Sequence, residues 1–169
     1  MKLKYNEIWA EEVLKHSNNE DISGDETMRL VELIDMADYT EDVKIIRVLF
    51  LALQAEDLGG VPETIFGALS TIDYKDYYLV LFELIPQILQ SNNQDLSVYL
   101  LSMKSGDKFT LKEWNTIKQL SAKYLNNEVL REILKLMENN KYFTLDSEDY
   151  PFPEFHQLFK KLLKEKSEQ

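Results

Sequence analysis

Apolar residues recur at three- and four-residue spacing through almost the whole chain, and no segment shows the sustained apolar–polar alternation of a half-buried strand. Leu30, Leu33, Ile34 and Ala37 keep that rhythm, and so do Val43, Ile46, Leu49, Phe50 and Leu53. Polar stretches, Gly59-Gly60, Gly106 and Asn126-Asn127 interrupt it at intervals suited to helices of about twelve residues. The pattern predicts an all-α protein of about nine helices in antiparallel hairpins, a HEAT- or armadillo-like helical bundle or short solenoid. Residues 1–169 read as a single all-helical domain, long enough to bury a sizeable core without a staple.

The punctuation places the helices. Predicted spans are 4–16, 23–38, 40–58, 61–69, 74–90, 95–103, 111–125, 129–137 and 154–165. Ser23 with Glu26, and Thr110 with Glu113, have the spacing of capping boxes, in which a hydroxyl and a carboxylate three residues on satisfy each other's backbone N–H. The helix over 74–90 is apolar almost all round and is expected at the centre of the core. Of Tyr74, Tyr77 and Tyr78, one or two rings must be core. Residues 45–53 form the longest greasy stretch, and Arg47 breaks it well short of the roughly 20 residues a membrane span needs. With no cysteine and no secretory leader pattern, a cytoplasmic location is expected.

Charge is distributed unevenly. Residues 1–65 carry 15 Asp and Glu against 6 Lys and Arg, whereas residues 66–169 carry 15 against 13. A surface built for a basic partner has this form. Many of the acids have a simpler explanation, because carboxylates are favoured in the first turns of helices, where they meet the positive end of the dipole. Asp25, Glu26, Glu41, Asp42, Asp73, Asp76, Asp95 and Glu113 all fall there. Asp35, Asp38, Glu56 and Asp57 fall instead in predicted last turns, where a carboxylate costs about 0.3–1 kcal/mol.

In an antiparallel helix pair, Asp35 and Asp38 would lie beside Glu41 and Asp42, and Glu56 and Asp57 beside Asp25 and Glu26. These acids compose a candidate partner-binding surface; plain solubility is the competing explanation. A second candidate surface is the segment 140–153, where Tyr142 and Tyr150 stand among Asp146, Glu148 and Asp149. Aromatic residues are preferred interface anchors. The competing explanation there is a lid folded over the last two helices.

Signatures of chemistry are absent from the sequence. It holds no Gly-x-Ser-x-Gly, no phosphate-cradling loop and no His-Glu-x-x-His. Glu12 and His16 share a helix face but make only two of the ligands a metal needs, so a surface ion pair is expected. His156 is expected to be solvated or to cap its helix. Neither a cofactor nor a metal is expected, and the chain reads as a binder rather than an enzyme. A net charge of −11 disfavours nucleic acid, because phosphate binding needs a basic stripe.

The acidic helix pair over 25–58, the Gly59-Gly60 stop and the Leu/Tyr-rich run over 73–83 resemble the helical immunity proteins of bacterial toxin systems, including those paired with contact-dependent growth-inhibition toxins. The resemblance covers residues 23–137 and carries over no binding residues. It implies a stoichiometric inhibitor that neutralises a toxin domain by occluding it. A nuclease toxin would be basic and so matched to an acidic inhibitor. The alternative is a helical-repeat adaptor or regulator that recruits an endogenous partner between its hairpins.

Overall fold

The computed structural model describes residues 2–18, 23–54, 61–104, 108–139 and 152–168. Among these residues every regular element is a helix: α1 Glu7–Ser17, α2 Gly24–Asp35, α3 Val43–Leu53, α4 Val61–Ser70, α5 Tyr74–Leu89, α6 Asp95–Ser102, α7 Leu111–Tyr124, α8 Asn127–Glu138 and α9 Phe152–Ser167. This is the all-α architecture that the periodicity predicts. Pro86, which has no N–H to give the ladder, lies inside α5 without ending it.

Side chains written next to the helices start them. Asn6 Oδ1 accepts the Trp9 N–H at 2.8 Å and Asn126 Oδ1 accepts the Val129 N–H at 2.9 Å. Ser23 Oγ accepts the Glu26 N–H at 3.2 Å. At α7 the predicted box is complete, with Thr110 Oγ1 accepting from Glu113 and Glu113 Oε1 accepting from Thr110, each at 3.1 Å. Each cap satisfies a donor that the helix itself leaves orphaned, for about 0.5–2 kcal/mol.

The chain forms two compact units, residues 1–80 and 81–169, with the division falling inside α5. In the first unit α1 runs antiparallel to α2, with Trp9 facing Leu33, Glu12 facing Arg29 and His16 facing Glu26. α1 and α4 each pack against both α2 and α3. The most apolar of these helices is α3, whose Ile45, Ile46, Leu49, Phe50 and Ala52 are fully buried. Phe50 meets Tyr77 with ring centroids 5.3 Å apart, and Tyr77 meets Tyr78 edge-on at 5.1 Å. Tyr77 and Tyr78 are thus the core members of the tyrosine group, and Tyr74 is half-buried.

In the second unit α8 and α9 pair most extensively and α6 packs on both. Phe155 of α9 joins them to α7, lying 5.2 Å from the Trp114 ring and 5.7 Å from Phe159. At the far end of α9, Lys166 Nζ donates to Ala122 O at 2.8 Å and also to Leu125 O. An ammonium on the last carbonyls of α7 satisfies acceptors the helix cannot pair and sits at the negative end of its dipole.

Candidate functional site

The chain leaves α2 by an uncommon route. After Asp35 the backbone tightens, with Ala37 N–H bonding Ile34 O at 2.9 Å, Asp38 N–H bonding Asp35 O at 3.2 Å and Thr40 N–H bonding Ala37 O at 3.1 Å. Tyr39 then adopts φ 59°, in the left-handed region. Glycine or asparagine ordinarily takes that position at the end of a helix, and a bulky side chain there costs on the order of 1–3 kcal/mol. Non-local contacts hold it. The Tyr39 N–H donates to Thr71 Oγ1 at 2.7 Å, and the same hydroxyl donates to Ala68 O at 2.6 Å.

On either side of Tyr39 the chain is anchored inward, with Ala37 and Thr40 buried. Thr40 Oγ1 accepts the Asp42 N–H at 3.1 Å. The outcome is an aromatic ring pushed into solvent on a fixed stem. Tyr39 is 65% exposed and the nearby Met36 is 50% exposed.

Acids flank Tyr39 along the chain, and the structure sorts them. Asp35 closes α2 and is exposed; Asp38, predicted within the last turn of that helix, lies in the turn beyond it. Neither has an ion-pair partner among the described residues. Partial desolvation, and after it the neighbouring charge of Asp35, holds the Asp38 carboxyl above the ordinary aspartate range. A raised carboxyl pKa means that the folded state favours the protonated form. The stability it contributes is present below the ordinary aspartate range and is lost as pH rises through the folded pKa. At neutral pH, Asp38 is therefore an acid held where its charge is unwelcome.

Glu41 and Asp42 have structural employment. Lys2 donates to Glu41 Oε1 at 2.9 Å and holds that exposed carboxyl below its usual range. Asp42 caps α3, its Oδ1 accepting from Lys44 N–H at 3.0 Å and its Oδ2 from Tyr5 N–H at 3.3 Å. Two further acids join the corner at the start of α5. Asp73 caps that helix by accepting the Lys75 N–H at 3.2 Å, and Asp76 is half-buried beside it. Burial first, then the charge of Asp73, with a smaller push from Glu41, raises the Asp76 carboxyl.

The predicted residues Glu56, Asp57, Tyr142, Asp146, Glu148, Asp149 and Tyr150 lie outside the described residues. Sequence reasoning missed Tyr39 and Met36, and it read Asp73 and Asp76 only as helix-start acids. No residue near position 39 signals a left-handed turn, because the run Met36-Ala37-Asp38-Tyr39-Thr40 contains neither glycine nor asparagine.

Elsewhere, Glu12 keeps the expected pairing with His16, at 4.0 Å, and binds Arg29 of α2 more closely. Its carboxylate takes Arg29 Nε at 2.9 Å and the same guanidinium again at 3.2 Å, and this bond is the largest influence holding Glu12 below the usual glutamate range. His16 sits between two acids, 4.0 Å from Glu12 and 3.6 Å from Glu26. His156 meets Glu138 at 3.3 Å, tying the start of α9 to the end of α8. An open groove of about 380 Å³ in the second unit is lined by Leu89, Gln90, Gln94, Glu132, Lys135 and Leu136 among others. Among the described residues no three His, Cys, Asp or Glu side chains gather where they could share a metal, and no helix is long and apolar enough to cross a membrane. Comparison with protein-family models, curated proteins and solved structures finds no match to this chain.

Proposed function

We propose that the protein is a stoichiometric, protein-binding inhibitor that neutralises a toxin domain with a basic surface by covering it, and that the corner between α2 and α3 makes the contact. The observation that carries this reading is an exposed Tyr39 that directly follows Asp38 in the chain, with Asp35 near enough to act on Asp38, two carboxylates without a cationic partner among the described residues. Aromatic anchors rimmed by complementary charge are how interfaces combine affinity with steering. Placing Asp38 where its own fold disfavours the charge is a local expense of the kind found at functional surfaces.

Capture of the tagged protein's partners from its native cell, at low and at high salt, tests the reading. A basic toxin fragment retained in one-to-one amount at low salt is expected, with recovery falling about tenfold at high salt as the steering field is screened. Capture of housekeeping proteins with no salt dependence would replace this reading with that of a helical adaptor.

A further inference from the structure

We infer that Tyr39 is the energetic centre of the corner and that it takes an arginine: a guanidinium of the basic partner lies on the exposed ring while it pairs with the carboxylates of Asp35 and Asp38. The inference rests on the reading of this corner as a surface for a basic protein, and it names the side chain that such a partner must present.

Three features of the site select that chemistry. The ring is exposed, yet its stem is fixed, because the Tyr39 N–H is bonded to Thr71 Oγ1 and both Ala37 and Thr40 are buried. A partner therefore meets a pre-positioned aromatic surface and need not order the backbone beneath it. The charges that flank Tyr39 along the chain are negative and uneven in availability. Glu41 is occupied by Lys2 and Asp42 by two backbone donors, which leaves Asp35 and Asp38 to the incoming cation. A flat guanidinium stacks on an aromatic face and still directs donors to a carboxylate at its edge; an ammonium is a compact, strongly hydrated point charge and does the two together less well. Met36, half exposed three residues before Tyr39, offers apolar surface for the aliphatic stem of an arginine.

The test uses the intact protein and two peptides of equal charge, nona-arginine and nona-lysine, followed by NMR through the amide signals of Tyr39 and Thr71. Nona-arginine is expected to bind about two- to fivefold more tightly than nona-lysine, with its largest shifts at the corner. Tyr39→Gly should erase that preference. Glycine suits the left-handed backbone, so this variant should melt at the same temperature as the parent or higher, which separates lost binding from lost folding. Tyr39→Phe keeps the ring and should keep the preference. Equal binding of the two peptides, binding of neither, shifts that avoid Tyr39, or a preference that survives Tyr39→Gly would each overturn the inference. The failures are separable. An arginine preference at Tyr39 with no toxin captured from cells removes the toxin reading alone, and a captured toxin without that preference removes the arginine anchor alone.

Discussion

Exchanging Asp35 and Asp38 together for asparagine is expected to slow association with a basic partner by about tenfold or more at low salt, with the difference shrinking as salt is added. The dissociation rate should rise as well, since both carboxylates pair with the guanidinium seated on Tyr39. Stopped-flow mixing at several salt concentrations measures both rates. A matched control replaces Glu128 and Glu132 by glutamine: both are exposed on α8, in the other unit, and the net charge changes equally. If the control slows association as much as the corner pair does, net charge alone does the steering and the corner has no special part in it.

The same exchange carries a pH signature. Asp38 takes up its proton at a higher pH than an ordinary aspartate, so the parent should lose corner charge, and with it association rate, earlier as the solution is acidified. Asp38→Asn should flatten that early limb. It should also raise stability slightly at neutral pH, where the parent bears an ionised group that its fold disfavours. An Asp38→Asn variant that is less stable at neutral pH would show that the carboxylate has a structural duty after all.

Replacing Trp9 by alanine is expected to destabilise the first unit by about 3–5 kcal/mol, a large part of the roughly 5–15 kcal/mol that separates a typical domain from its unfolded chain. The indole does two things. It is 3% exposed and fills space between α1 and α2, and its Nε1–H donates to Leu33 O at 2.9 Å. That carbonyl lies near the end of α2, where the next available donor, Ala37 N–H, goes to Ile34 instead. Trp9 therefore supplies the partner that the tightening turn takes away. Trp9→Phe separates the two roles. It retains most of the apolar contact and strands one buried carbonyl, for about 1–3 kcal/mol. Urea unfolding followed by circular dichroism reads both variants, and a cost for Trp9→Ala near that of an exposed substitution would refute the assignment.

Much of the fold could be read from the sequence because the signals for it are local. The Thr110–Glu113 box and the Ser23 cap are made by residues three apart, and the core faces of α3 and α5 follow from helical spacing alone. The reading slipped where distant residues decide. α1 begins at Glu7 rather than near position 4, since Asn6 caps it while Lys2 and Tyr5 reach across to Glu41 and Asp42. α2 stops at Asp35, three residues short of its expected end, because the turn that follows is held by Thr71. The candidate site divides in the same way. Asp35 and Asp38 were legible as acids at the wrong end of a helix, whereas Tyr39 was not, since an aromatic residue carries no mark of a left-handed backbone. Asp76 joins the corner only once α5 is in place.

One hydroxyl at position 71 serves the Tyr39 N–H and the Ala68 carbonyl at once, from 32 positions along the chain. The shape of the corner is thus set by a residue remote from it in sequence. Serine retains the hydroxyl at position 71 and valine lacks it, while glycine at 39 would free position 71 from the requirement. Substitutions at the two positions are therefore expected to be non-additive in stability.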